Sequence, residues 1–166
     1  MNMSIPTLDR LRELKLGGMA HALQQQQEQP GPYAELSFTE RLAMLVEQEH
    51  LYREQKKQSR LLQQAHLKLS ATLQDIDYQH PRNVERSQIA QLAQSEWINR
   101  GQNLLITGPC GSGKTYLACA FGHNACLHGY SVQYYRLSRL LQTLTQAKAD
   151  GSYPKLLRQL ARLRLL

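Results

Sequence analysis

The chain has 166 residues, a formal net charge of +7 and 42% hydrophobic residues, which allows one domain with a smaller appendage. It contains no apolar run long enough to span a membrane, and its N-terminus lacks a signal-peptide pattern. Three cysteines, Cys110, Cys119 and Cys126, lie close together, and an odd number in one helical unit argues against a disulfide framework. We therefore expect a reduced, cytoplasmic protein in which Cys119 and Cys126 pack in the core.

The first part of the chain has the periodicity of helices. Residues 7–29 predict a helical segment that Gly17-Gly18 can interrupt. Residues 37–40, Ser-Phe-Thr-Glu, have the pattern of a capping box, and a long helix is expected from Phe38 to about Leu69. The sequence therefore predicts an all-helical N-terminal domain over residues 1–72.

A linker is predicted over residues 73–83, because Pro81 disfavours helical backbone at the residue before it. A further helix is expected from about Val84 to Asn99, and Gly101 fits its C-terminal stop. We assign the second domain, including this linker, to residues 73–166.

The most specific motif is Gly-Pro-Cys-Gly-Ser-Gly-Lys-Thr, which matches the P-loop pattern G-x-x-x-x-G-K-[ST] at every fixed position. Residues 103–107 predict a buried parallel strand before it, and residues 116–128 predict a helix after it. Strand, loop and helix in this order direct a helix N-terminus at an anion, which disfavours a chance match. Lys114 is expected to contact the β- and γ-phosphates of a nucleotide, and Thr115 to offer its hydroxyl to Mg²⁺. The predicted nucleotide-binding residues are Gly108, Pro109, Cys110, Gly111, Ser112, Gly113, Lys114 and Thr115.

Beyond the loop, residues 130–135 alternate in the manner of a strand, which predicts a right-handed parallel crossover from residues 103–107. Two helices are expected to follow, with Ser138 and Ser152 as their N-terminal caps. The chain closes on a short apolar run at residues 163–166.

Positive charge is concentrated in residues 99–166, which hold nine Lys and Arg but only one acid. Such a bias favours an anionic partner, and nucleic acid is the commonest one. We select Arg139, Lys155 and Arg158, on the last two predicted helices, as candidate DNA contacts. An acidic segment following the chain would produce the same imbalance without any DNA contact, so this alternative stays open.

A second acidic site is missing from the pattern of a complete ATPase. P-loop NTPases use an Asp at the end of a later strand to hold the magnesium shell. After Thr115 the only acid is Asp150, which lies in a turn-like sequence. We therefore predict half of an ATPase site, in a fragment or a degenerate copy, and assign no catalytic residue.

These motifs together resemble a known family, the IstB-like ATP-binding proteins of insertion sequences. Its members help a DDE transposase and are related to the DnaC helicase loader and the DnaA initiator. The resemblance covers nearly the whole chain, and the P-loop by itself is generic. The residues that carry it include Leu36-Ser37-Phe38-Thr39-Glu40-Arg41-Leu42, Asp75-Ile76-Asp77-Tyr78, Trp97-Ile98, residues 103–109, Gly122-His123 and Tyr153-Pro154-Lys155-Leu156-Leu157.

The resemblance implies an α/β P-loop NTPase of the AAA+ class, with an incomplete parallel sheet behind the helical domain. It implies ATP and Mg²⁺ as cofactors, oligomers that assemble on double-stranded DNA, and recruitment of a transposase. Family members continue from a segment like residues 163–166 into the Walker B strand and later supply an arginine finger. We therefore expect a chain cut before Walker B that by itself hydrolyses ATP at a negligible rate. A DnaC-like replicative helicase loader and a non-catalytic remnant are the alternative functions.

Overall fold

The computed structural model describes residues 4–79 and 84–166. The chain divides into two compact units, Met1–Lys57 and Gln58–Leu166. The predicted domain boundary after residue 72 stays a prediction, and residues 80–83 of the predicted linker lie outside the described residues. The helices are α1 (Ser4–Glu13), α2 (Gly17–Glu28), α3 (Phe38–Ala65), α4 (Arg86–Ala93), α5 (Glu96–Asn99), α6 (Lys114–Leu127), α7 (Leu137–Ala149) and α8 (Tyr153–Ala161), and a short 3₁₀ helix covers Gly31–Tyr33.

The segment predicted at residues 7–29 does divide into two helices, but the break lies at residues 14–16, and Gly17-Gly18 belong to α2. Lys15, between α1 and α2, has a φ of +60° and so cannot continue a helix. Gly18 also lets α2 approach α3 closely, since a Cβ there would lie 2.6 Å from the carbonyl oxygen of Gln48. The absence of a side chain at Gly18 therefore determines how tightly these two helices pack.

The predicted capping box at the start of α3 is confirmed. The backbone N–H and the hydroxyl of Ser37 donate to Glu40 Oε2 at 2.8 and 2.7 Å, and the Glu40 N–H donates back to Ser37 Oγ at 3.3 Å. The hydrogen bonds from Ser37 lower the pKa of Glu40 below its ordinary value. The helix ends at Ala65, earlier than predicted, because His66 takes a left-handed conformation with a φ of +47°.

The core of the second unit is built mainly around α6. Cys119 and Cys126 are fully buried, which confirms the prediction that these thiols pack in the core. Burial raises the pKa of Cys126 to about 11. The buried residues form two clusters, Leu61, Ala65, Ile98, Ala125, Cys126 and Val132 in the first and Ala71, Cys119 and Ala120 in the second.

The single helix predicted from Val84 to Asn99 is wrong, because the chain breaks into α4 and α5 at Ser95. Ser95 is buried and has a φ of +61°. The Asn124 side chain on α6 donates to the carbonyl oxygen of Ala93 at 2.7 Å and to Ser95 Oγ at 3.3 Å. Two hydrogen bonds from a side chain on a distant helix therefore satisfy polar groups that the break leaves without partners within the helix.

The predicted parallel sheet is not confirmed, because among the described residues the crossover from residues 103–107 to residues 130–135 forms no ladder. Among the described residues, the only bridge joins Val132 and Leu165, in parallel orientation. The Gln133 N–H donates to the Leu165 carbonyl at 3.1 Å, and the Leu165 N–H donates to the Ser131 carbonyl at the same distance. A strand at residues 130–135 is thus present only as this bridge.

The prediction of a buried strand at residues 103–107 is wrong. Leu105 is 86% exposed, whereas Leu104 and Ile106 are half-buried, so only one face of this extended segment is covered. In the described part of the chain no backbone group pairs with residues 103–107. A strand requires a neighbour that supplies ladder hydrogen bonds, and no described segment provides one here.

The two predicted serine caps also differ from expectation. α7 begins at Leu137 with Arg136 at the N-cap position, so Ser138 lies inside the first turn. Ser152 does occupy the N-cap position of α8, but its hydroxyl donates to Asp150 Oδ1 at 2.6 Å and accepts no hydrogen bond from the helix N–H groups. The hydrogen bonds from Ser152 lower the pKa of Asp150.

Candidate nucleotide-binding site

The P-loop turns through glycines in conformations that other residues rarely adopt. Gly111 and Gly113 have φ values of +81° and +89°. Gly113 is the N-cap residue of α6, and in the described structure no side chain hydrogen-bonds to this helix start. The first N–H groups of α6 therefore keep their capacity to bind an anion.

Lys114 opens α6 and turns its ammonium group back to the loop. Its Nζ donates to the carbonyl oxygens of Gly108 at 2.9 Å and Pro109 at 2.5 Å. A cation at a helix N-terminus is unfavourable because the helix dipole is positive there. A bound anion would offset this repulsion, and so the loop is electrostatically suited to phosphate.

Five of the eight predicted binding residues line one cavity of about 120 Å³. Cys110, Gly111 and Thr115 are not part of its lining among the described residues. The five residues that the structure brings together there are Gly108, Pro109, Ser112, Gly113 and Lys114.

The same cavity has lining residues that the sequence analysis did not assign to the site. Ile76, Asp77, Tyr78 and Val84 contribute from upstream of the loop. The run Asp75 to Tyr78 belongs to the family resemblance, so a signal for it existed, although no binding role was assigned to it. The other unassigned lining residues are Ile106 and Thr107 before the loop and Tyr116 and Leu117 of α6.

The structure supplies few ligands for a metal ion. Within residues 4–79 and 84–166, no group of three or more His, Cys, Asp or Glu side chains is arranged to hold one. Asp77 is one of the residues that line the cavity, and its Oδ1 accepts a 2.8 Å hydrogen bond from the N–H of Gln79. Asp150, the acid that follows Thr115 in sequence, does not line the cavity.

The three candidate DNA-binding residues lie on the last two helices, away from the cavity lining. Arg139 is on α7, and Lys155 and Arg158 are three residues apart on α8. All three are exposed. None of them forms an ion pair with a residue that the structure describes.

The left-handed glycines, the open start of α6 and the ammonium of Lys114 together define the class of this molecule, a P-loop nucleotide-binding protein. The sequence profile of the IstB-like ATP binding protein family matches residues 9–166. The chain therefore belongs to that family.

Individual relatives agree with the family match. A protein of insertion sequence IS1162 from Pseudomonas fluorescens, whose name describes ATP binding, is 47% identical over 99% of this chain and 71% of its own length. An insertion sequence protein of Sinorhizobium fredii, also named for ATP binding, is 40% identical over 97% of this chain and 65% of its own. The corresponding IS21 protein of Pseudomonas aeruginosa is 33% identical over 94% of this chain and 58% of its own. The chain thus spans about three fifths to seven tenths of the length of these relatives.

The helices of residues 4–79 and 84–166 include none with both the length and the apolar character that crossing a membrane requires.

Proposed function

We propose that this chain binds ATP together with Mg²⁺ at the loop formed by residues 108–115. One observation carries the proposal: the Lys114 ammonium and the uncapped start of α6 belong to the same cavity lining. Both features are positive, and the phosphates of a nucleotide are the anions that such loops bind. Family membership and the names of the relatives support ATP as the nucleotide.

The loop residues have defined roles in this proposal. Lys114 shares its N–H donors between the loop carbonyls and the β- and γ-phosphates, and the backbone N–H groups of Gly111 and Gly113 bind phosphate oxygens. Thr115 offers a hydroxyl, which is the hard oxygen ligand that Mg²⁺ prefers. The ion would neutralise phosphate charge when bound, while the protein side chains hold and orient the nucleotide.

Replacement of Lys114 tests this proposal. Lys114→Ala removes a charge-assisted hydrogen bond and is expected to weaken ATP binding by about 1.5–3 kcal/mol in isothermal titration calorimetry. Lys68→Ala is the matched control, because Lys68 is an exposed lysine in the same unit but outside the cavity lining. Equal affinities of the Lys114→Ala and Lys68→Ala variants would refute the assignment.

We also propose a role in DNA transposition. In this role the ATP-bound chain binds double-stranded DNA through α7 and α8, assembles into oligomers on it and recruits or regulates a transposase. The insertion-sequence names of the relatives support this role, as do the exposed cations Arg139, Lys155 and Arg158. The parallel bridge between Val132 and Leu165 supports the incomplete AAA+ sheet that the family resemblance implies.

Partner binding tests the transposition role directly. Co-sedimentation with an insertion-sequence transposase is expected to require DNA and ATP, and to be abolished in Lys114→Ala. Binding to a replicative helicase, with no binding to the transposase, would favour the helicase loader. Absence of binding to ATP, DNA and both proteins would favour the non-catalytic remnant.

A further inference from the structure

Arg86 contacts a residue of the cavity without lining the cavity itself. It is the first residue of α4, and its Cζ lies 5.0 Å from the centre of the Tyr78 ring. Tyr78 lines the cavity together with the P-loop residues. A guanidinium group at this distance from an aromatic ring is attracted to the negative face of the ring.

The position of Arg86 is electrostatically unfavourable for the helix that carries it. The N-terminus of α4 has the positive end of the helix dipole, which disfavours a cation. No described carboxylate pairs with Arg86. The neighbouring Glu85 instead accepts a hydrogen bond from the Ser87 hydroxyl at 3.3 Å. The ring of Tyr78 is therefore the partner that the structure shows for this charge.

The cavity has an apolar part beside its polar loop. The cavity lining combines Lys114, Gly108 and Gly113 with the apolar side chains of Ile76, Tyr78, Val84 and Leu117. A ligand that fits both parts has a charged phosphate end and a flat, largely apolar end. Nucleotides have this construction, because their bases stack on aromatic rings.

We propose that Arg86 is a positioning residue that holds the Tyr78 ring against the nucleobase. This inference rests on the proposed nucleotide-binding function and adds a specificity to it. Tyr78 and Arg86 make the site favour a base-bearing nucleotide over bare polyphosphate, whereas Lys114 and the start of α6 act on the phosphates of either ligand.

The test compares two ligands by calorimetry, ATP and inorganic tripolyphosphate, each with Mg²⁺. Arg86→Gln is expected to weaken ATP binding about two- to fivefold, the equivalent of one exposed cation–π interaction, and to leave tripolyphosphate binding unchanged. Tyr78→Ala is expected to weaken ATP binding about tenfold, again without an effect on tripolyphosphate. Arg86→Lys and Tyr78→Phe preserve a cation and a ring, and are expected to restore most of the ATP affinity.

A double variant shows whether the two residues act as a pair. Arg86→Gln is expected to cause no further decrease of ATP affinity in the Tyr78→Ala background, because the cation–π interaction is already absent. If the two substitutions lower the ATP affinity of the double variant by the product of their separate factors, the residues act independently and the proposal is overturned. A decrease of tripolyphosphate affinity in Arg86→Gln that equals the decrease of ATP affinity would also overturn it, since Arg86 would then act on the phosphates. If Tyr78→Ala does not fold, the affinities of Arg86→Gln and Arg86→Lys for ATP and for tripolyphosphate test the positioning role instead.

Lys114→Ala separates this inference from the function on which it rests. Lys114→Ala is expected to weaken the binding of both ligands. If it does, while the Arg86 and Tyr78 variants lose no affinity for ATP relative to tripolyphosphate, the positioning role is refuted and the nucleotide-binding function stands. If wild type binds neither ligand, both the nucleotide function and the positioning role fail.

Discussion

The carboxylate of Glu49, in the middle of α3, accepts a 2.8 Å hydrogen bond from the backbone N–H of Gly18 at the start of α2. The same oxygen accepts from the N–H of Met19 at 3.1 Å, and Arg53 donates to the other oxygen at 2.7 Å. A buried acid on one helix thus satisfies the N-terminus of another, which usually requires a local cap.

We predict that removal of the Glu49 carboxylate destabilises the first unit. Glu49→Ala is expected to lower the free energy of unfolding by about 1.5–3 kcal/mol, because hydrogen bonds to a charged group are removed. Urea denaturation followed by circular dichroism measures the change. Glu47→Ala is the control, since Glu47 is an exposed acid on the same helix. Similar unfolding midpoints for the two variants would contradict the capping role.

The stabilisation by Glu49 is expected to depend on pH. Burial alone raises its pKa, but the hydrogen bonds from Arg53, Met19 and Gly18 and the charge of Arg53 outweigh it, so the pKa lies below its ordinary value of 4.5. The folded state therefore binds the Glu49 proton more weakly than the unfolded state. The contribution is complete above pH 4.5 and is lost as the pH falls through the folded-state pKa. The difference between wild type and Glu49→Gln should accordingly shrink between neutral and acidic pH.

We predict that Gly18→Ala destabilises the same pair of helices by about 1–3 kcal/mol. The new Cβ would meet the Gln48 carbonyl oxygen at 2.6 Å and the Glu49 Cα at 2.7 Å, and backbone atoms cannot rotate away. Alanine favours helix by about 1 kcal/mol over glycine, which the clash exceeds. Gly31→Ala is the control, because a Cβ at Gly31 meets nothing within 4 Å. A Gly18→Ala variant as stable as wild type would show that α2 and α3 do not pack in this way.

We predict that one cysteine in three reacts with a thiol reagent in the folded chain. Cys110 is exposed in the loop, whereas Cys119 and Cys126 are buried. Burial also raises the pKa of Cys126 to about 11, so its reactive thiolate is scarce at neutral pH. Titration with Ellman's reagent should give one fast thiol in buffer and three in urea. Labelling of Cys119 or Cys126 at the fast rate would contradict the assigned core.

ATP should slow the reaction of Cys110, because that residue belongs to the proposed phosphate-binding loop. The protection is expected to disappear in Lys114→Ala. Unchanged labelling of Cys110 at saturating ATP would contradict a nucleotide that contacts the whole loop of residues 108–115.

We predict negligible ATP hydrolysis by the purified 166-residue chain. Asp150 is its only acid after Thr115, and it bonds to Ser152 on a turn outside the cavity lining. The transition-state arginine of related ATPases alone contributes about 10³–10⁵ in rate. A phosphate-release assay measures turnover. Hydrolysis that Lys114→Ala abolishes would show that the chain completes a catalytic site by other residues.

We predict that DNA binding is sequence-tolerant and depends steeply on salt. Replacement of Arg139, Lys155 and Arg158 by Ala is expected to lower the slope of log affinity against log salt by about one for each phosphate that is no longer neutralised. The charge-matched control replaces Lys56, Lys57 and Arg60, three exposed cations on α3, by Ala. Fluorescence anisotropy with duplex DNA of two unrelated sequences provides the measurement. An equal slope in both triple variants would mean that net charge alone, and not α7 and α8, governs binding.

The sequence by itself determined the features that depend on neighbouring residues. The capping box requires only Ser37 and Glu40 at the right spacing, and the structure contains its reciprocal hydrogen bonds. The P-loop likewise needs glycines where φ is positive and a lysine at the helix start, so its local geometry follows from the motif.

Only the tertiary structure decided the features that depend on distant partners. Ser95 interrupts the helix predicted from Val84 to Asn99, because Asn124, 29 residues away, donates hydrogen bonds to the Ser95 hydroxyl and to the Ala93 carbonyl. The cavity combines Tyr78 with a loop far downstream in the sequence, and no local pattern encodes this combination. Residues 103–107 have strand-like composition, yet they form no ladder with the described chain, because backbone hydrogen bonds between strands need a second segment alongside.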